Sequence, residues 1–288
     1  MNDKFNIHKT FPNLRWENEK HIASGWDHDI IMLDKKFVVR IPKNTDALKR
    51  APIDFCLMKY LQDKIDVAIP ESISLDTKSK IGLYTVVSGA EMTDNIYKKF
   101  NSTKKDVFAK VIALFLLQLH SLPTADILKC KVPKIDITSE NQEVAKNAQI
   151  IYPNIDKQTQ KILDDFIKQR KLLLKKTKVT LVHNDLTGDN IFIDKTNLQY
   201  LGVVDFSDSV VGDLARDFAA LFTFDEKFVR KVLKYYDAKN DTTIFERAQV
   251  YYRDEAIKLM YLAINGSDFI SEKDALKLLH ERFNIKRA

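Results

Sequence analysis

The chain has 288 residues, with 46 Lys and Arg against 40 Asp and Glu, a net charge of +6. Its 45% hydrophobic and 30% charged content is that of a folded chain and excludes a disordered one. No apolar run approaches the roughly 20 residues of a membrane span, and so modest a positive excess names no nucleic-acid partner. The length suits one large or two modest domains. Met1 to Thr10 is polar and holds no apolar signal region, while Cys56 and Cys130 stand far apart without metal-type spacing. A secreted disulfide framework is therefore not expected, and a reducing cytoplasm fits.

The first third predicts strands. Ile30 to Leu33 and Phe37 to Ile41 flank the polar Asp34-Lys35-Lys36, a hairpin pattern. Pro42 ends the second strand because it offers no N–H to a ladder. Asp46 to Gln62 places Leu57, Met58 and Leu61 at helical spacing, with Pro52 fitting only near that helix's first turn. Ile81 to Val87 predicts a further strand, broken by Ser88-Gly89. Beyond Gly89 the pattern turns helical. Asp106 to His120 is a mostly apolar helix stopped by Pro123, and its Val111 to Leu117 run reads as core. Asp156 to Lys176 is charged and amphipathic. Its basic run, Lys168, Arg170, Lys171, Lys175 and Lys176 with Lys178, reads as a solvated face, since no aromatics interleave as in a stacking surface. Val179 to Val182, Ile191 to Ile193 and Tyr200 to Val204 are short strands, and helix-like runs follow from Leu214. The fold class is α+β, with a small β-rich lobe over residues 1–88, a hinge near Gly89 and a larger helical lobe over 89–288.

Chemistry concentrates in His183-Asn184-Asp185-Leu186-Thr187-Gly188-Asp189-Asn190, followed by Asp205-Phe206-Ser207. The H-x-D-L-x-x-x-N spacing is that of a kinase catalytic loop, and D-F-S stands where kinases carry D-F-G. Phosphoryl transfer to a hydroxyl needs a carboxylate beside the nucleophile to orient it and take its proton, a task that suits Asp185. It also needs a hard divalent cation on oxygen ligands. The Asn190 amide oxygen and the Asp205 carboxylate suit Mg²⁺. His183 reads as a brace of the loop.

These residues, with Asp208, Gly212-Asp213, Asp217, the L-H-S-L-P ending at Pro123 and the Val39-Arg40-Ile41-Pro42-Lys43 strand, resemble the antibiotic phosphotransferases, the aminoglycoside and macrolide kinases with a protein-kinase-like fold. The layout is most similar to the aminoglycoside 2''-phosphotransferases. The resemblance implies a two-lobed fold and a donor of GTP or ATP. Ser24, in the single-glycine turn Ala23 to His28, would meet phosphate oxygens. Arg40 takes the place of the usual phosphate-binding Lys, and Asp54 that of its Glu partner, one methylene shorter. The helix must then sit closer, or the pair is looser or bridged by water. Thr85 and Val87 would offer backbone groups to the base, and Tyr84 before them resembles a block on adenine, leaning the donor toward GTP. Asp213 and Asp217 read as supports, and Asp208 as bordering metal and substrate.

For the acceptor the resemblance implies an aminoglycoside, a polycation needing carboxylates. Asp225, Glu226, Asp254 and Glu255 are the candidates, and Phe218, Phe222, Phe224, Tyr251 and Tyr252 read as packing core. A macrolide or a metabolic hydroxyl compound is the alternative acceptor. A nucleotide-binding module without turnover is the third reading, against which the intact Asp185, Asn190 and Asp205 weigh.

Overall fold

A short helix, α1 (Ile7–Thr10), precedes three antiparallel strands, β1 (Glu19–Ile22), β2 (His28–Leu33) and β3 (Phe37–Pro42). They come from a computed structural model that describes residues 7–22, 27–175, 177–237 and 241–285. The β2–β3 turn holds Asp34 and Lys35 at φ 50° and 56°, the left-handed pair a tight hairpin requires. Helix α2 (Thr45–Leu61) starts at Asn44, whose side chain accepts the Ala47 N–H at 2.8 Å. Pro52 lies inside this helix and not at its first turn. The carbonyl that loses its helical partner belongs to Leu48, an exposed residue. Strands β4 (Ser72–Leu75) and β5 (Gly82–Thr85) complete a five-stranded sheet in the order β1-β2-β3-β5-β4.

Gly89, at φ 114°, leads into the helical region. A Cβ there would stand 2.8 Å from the Ile193 carbonyl oxygen. After β6 (Ala90–Glu91) come helices α3 (Asp94–Lys98), α4 (Ser102–Ser121), α5 (Thr124–Lys129), α6 (Ile137–Ile151) and α7 (Lys157–Leu173). Three short strands fall where the sequence predicts them, β7 (Val179–Val182), β8 (Ile191–Ile193) and β9 (Leu201–Val203), and a fourth that it did not predict follows, β10 (Val210–Asp213). Helices α8 (Ala215–Ala220), α9 (Glu226–Tyr236), α10 (Ile244–Ile264) and α11 (Glu272–Arg282) follow.

The large core joins Leu57, Met58 and Leu61 of α2 to Phe108, Ile112 and Leu116 of α4, while Ile31, Leu33, Val39 and Ile41 form a second cluster within the sheet. Leu114 and Leu117 of α4 are 51% and 37% exposed, so the Val111 to Leu117 run is core on one face only. Arg170 leaves the solvated face assigned to it and is buried, because α7 packs that position toward α6 and α10. Among the described residues no helix is long and apolar enough to cross a membrane.

The cysteines overturn their expectation. Cys56 of α2 and Cys130 after α5 form a disulfide with Cα atoms 5.5 Å apart. Their separation of 74 residues hides a contact that exists only once α2 lies against α5. A reducing cytoplasm therefore no longer follows from the cysteines.

Candidate active site

Strand β7 delivers the His183 to Asn190 loop, and β8 and β9 carry the chain on to Asp205. His183 is buried. Its Nε2 lies 3.0 Å from the Val204 carbonyl, its Nδ1 lies 3.3 Å from the Asp185 N–H, and its ring packs on Phe206. It braces one loop against the other. Asn184 takes φ 66°. Asp217 on α8 holds this bend by accepting the N–H groups of His183 and Asn184 at 3.0 and 2.7 Å, with His120 Nε2 at 2.9 Å from the same carboxylate.

Asp185 and Asn190 meet directly. The Asn190 amide nitrogen donates to Asp185 Oδ2 and to its carbonyl, both at 2.8 Å. Its amide oxygen is thereby left for another partner. Burial, with the charges of Asp208 and Asp205, pushes the Asp185 carboxyl up to about 6, against the pull of His183 and Asn190. Asp205, at φ 62°, accepts Arg40 Nη2 at 2.9 Å and the Ser207 hydroxyl at 2.6 Å. Burial would raise its carboxyl, but the Arg40 charge and these two bonds outweigh it and hold Asp205 well below the usual carboxylate range. Both bonds fall on Oδ1, so Oδ2 is unengaged among the described residues.

Arg40 reaches the cleft from β3, and Asp54 from α2 meets it directly at 3.3 Å. The shorter side chain is thus matched by a helix that sits close. The Tyr84 hydroxyl donates to the same Asp54 oxygen at 3.4 Å. His28 Nδ1 lies 3.4 Å from Arg40 Nη2, and burial together with the Arg40 charge pushes its imidazole down to about 4, so the ring is neutral and accepts. Arg50 of α2 bridges Asp27 and Asp208. Arg40 Nε, Arg50 Nε and Asp54 Oδ1 are buried without a partner among the described residues. Arg40 Nε is a donor that an anionic ligand would complete, whereas Asp54 Oδ1 is an acceptor that such a ligand would not.

The donor set also suits a divalent cation. Among the described residues no group of three or more His, Cys, Asp or Glu could hold a metal alone. Two protein oxygens, from Asn190 and Asp205, fit an ion finished by phosphate oxygens, which is how Mg²⁺ is commonly bound. Ser24 lies outside the described residues. The Thr85 N–H donates to the Glu71 carbonyl at 3.1 Å and its hydroxyl accepts the Glu71 N–H at 2.8 Å. Val87 keeps its N–H and carbonyl without hydrogen bonds among the described residues.

Asp185 and Thr187 open on a cavity of about 420 Å³ between α6, α8 and α10. Asp254 and Glu255 line it as expected, but Asp208, Asp225 and Glu226 do not. Asp225 caps α9 by accepting the Phe228 N–H at 2.6 Å and also accepts the Tyr97 hydroxyl at 2.8 Å. Glu226 pairs with Arg230 along the helix surface at 2.8 Å. Glu140 and Glu143 line the cavity in their place. Glu140 accepts from both Arg170 and Arg216, and Arg170 Nε meets both Asp254 oxygens at 2.9 and 3.0 Å. Arg216 also bonds Asn184 at 3.2 Å and lies 4.4 Å from the Tyr251 ring. Phe218, Phe224 and Tyr251 belong to the core, with Phe222 and Tyr252 packed against it, and Tyr251 and Tyr252 also line the cavity.

Sequence reasoning missed Arg50, His28, Glu140 and Arg216. For Arg50 a signal exists, four residues before Asp54 and on the same helix face. Glu140 and Arg216 act through partners far along the chain, and His28 meets Arg40 across the β2–β3 hairpin.

A family model described as the phosphotransferase enzyme family matches residues 19–251. The chain belongs to this family. Its structure is similar to the GDP complex of aminoglycoside 2'-phosphotransferase-IIIa, with TM-score 0.89 and 19% identity over 96% of each chain. It is similar to the streptomycin–ATP complex of APH(2'')-IIa, with TM-score 0.75 and 22% identity over 97% of this chain and 94% of that one. Macrolide 2'-phosphotransferase type I matches with TM-score 0.71 and 17% identity over 98% and 95%. At these identities the likeness establishes the fold of this phosphotransferase family member.

Proposed function

We propose that this chain moves the γ-phosphoryl group of GTP or ATP to a hydroxyl of a small molecule, with residues 1–88 holding the nucleotide and 89–288 the acceptor. The observation that carries the reading is the place of Asp185: its carboxylate opens on the cavity and bonds Asn190 at 2.8 Å. The acceptor hydroxyl donates to Asp185, which orients it, takes its proton as the oxygen attacks the γ-phosphorus, and so forms one P–O bond while the bond to the β-phosphate oxygen breaks. Arg40, aimed by Asp54 and the Tyr84 hydroxyl, holds phosphate oxygens. Asn190 and Asp205 would hold Mg²⁺, which neutralises phosphate charge when bound. Val87 meets the base, and the buried Tyr84 behind it favours GTP.

An aminoglycoside is the first acceptor to test, with antibiotic resistance the role that would follow. A macrolide or a metabolic hydroxyl compound is the second reading. Glu140 and Asp254 already face arginines, and Tyr251 and Tyr252 add apolar wall, both of which suit an acceptor with few amines. A nucleotide-consumption assay over aminoglycosides, macrolides, sugars and amino alcohols tests the proposal. Asp185→Ala is expected to lose turnover by about a thousandfold while still binding nucleotide. Full turnover in that variant would sink the mechanism. Binding without turnover on every acceptor would make the chain a binding module.

A further inference from the structure

We propose that Arg50 is a positioning residue for the nucleotide, a bridge that holds the Asp205 loop against the strand side of the cleft; this rests on the nucleotide reading above. Its guanidinium spans two carboxylates that the chain brings from opposite sides. Asp27 stands just before β2, and Asp208 ends the single helical turn Phe206–Asp208 that follows Asp205. Asn44, the cap of α2, holds Asp27 from the other side, donating at 2.9 Å. All three groups are partly shielded, with side chains 28% exposed for Arg50, 26% for Asp27 and 45% for Asp208.

Two guanidinium contacts therefore join the N-terminal region to the Asp205 loop, and they differ in what a ligand does to them. Arg40 sits on Asp205 itself, at 2.9 Å, on the carboxylate that a cation needs. That contact competes with the nucleotide's metal. Arg50 sits on Asp208, away from the Asp205 carboxylate and outside the cavity lining. It keeps the loop, α2 and Asp27 in register while Asp205 changes partners. Its Nε is buried and unpartnered among the described residues, so the two carboxylate contacts alone hold the guanidinium in place. The planar fork is what allows one side chain to serve two carboxylates, so Lys is not an equivalent.

The test titrates a non-hydrolysable GTP analogue with Mg²⁺ into the full chain without acceptor, by calorimetry, and records melting with and without it. Arg50→Ala is expected to weaken binding about tenfold, and Arg50→Lys to recover only part of that. Asp27→Asn is expected to weaken binding in the same sense and to add little on top of Arg50→Ala, because both remove one bridge. Steady-state kinetics should then show KM for nucleotide raised with kcat at saturation nearly unchanged. The proposal is overturned if Arg50→Ala melts earlier by the same margin with and without analogue while affinity stays at the wild-type value. It is equally overturned if the two substitutions add independently. Should Arg50→Ala fail to fold, Arg50→Lys and Asp27→Asn give the same comparison. Wild-type protein that binds no analogue would remove the nucleotide reading itself, a result distinct from loss of the bridge alone.

Discussion

Asp217 shows how a site can depend on a residue that does not face it. One buried carboxylate serves the backbone N–H groups of His183 and Asn184 and the buried His120 ring. Asp217→Ala leaves these groups unmatched and is expected to cost about 2–4 kcal/mol in urea unfolding, with Asp217→Asn losing less. His28 gives a pH signature. Its folded value lies near 4 against an ordinary 6.5, so below pH 6.5 the unfolded chain takes the proton first. Stability from this group is present above pH 6.5 and declines as pH falls toward 4, by up to about 1.4 kcal/mol per pH unit. Unfolding measured at pH 7.5 and 5.5 should show a smaller drop in His28→Gln than in wild type. At this scale Asp185, Asn190 and Asp205 were legible because their spacing is local. Arg216 and Glu140 were not, since their partnership joins residues 76 positions apart.

Among the elements, α2 gathers Asp54, Arg50 and Cys56 on one helix. Its bond to Cys130 closes a long loop and so restricts the unfolded chain. Cys56→Ser is expected to lower stability by about 2–4 kcal/mol under non-reducing conditions, and reductant should bring wild type to the same denaturation midpoint. The hairpin and the three short strands were readable from β-rich runs bounded by turn residues. Pro52 within α2 was not, because whether a freed carbonyl finds water is a property of the packed surface. Arg170 was misread for a related reason. A cation in a basic run looks solvated until carboxylates from two other helices are seen to surround it.

The sheet keeps its own core, and α2 with Tyr84 shares the larger core of the helical body, while Arg40 and Arg50 pair with Asp205 and Asp208 across that junction. The proposed cation site takes only two side chains from the protein, Asn190 and Asp205. A chelator is accordingly expected to abolish the rise in melting temperature that nucleotide brings, while leaving the nucleotide-free melting temperature where it was. A drop in the latter on chelation would reveal a structural metal that the described residues give no cluster to bind. The α+β division was visible in the change of periodicity after Gly89. The cavity beside Asp185 was opaque, because its charge depends on which carboxylates Arg170 and Arg216 neutralise.

Gly89 closes a door on variation. With φ at 114° and a carbonyl oxygen 2.8 Å from where a Cβ would sit, this crossing admits a hydrogen and little else. A saturation library selected for folding should return glycine there almost alone, which makes the position a fixed milestone for aligning distant kin whose surrounding letters have drifted.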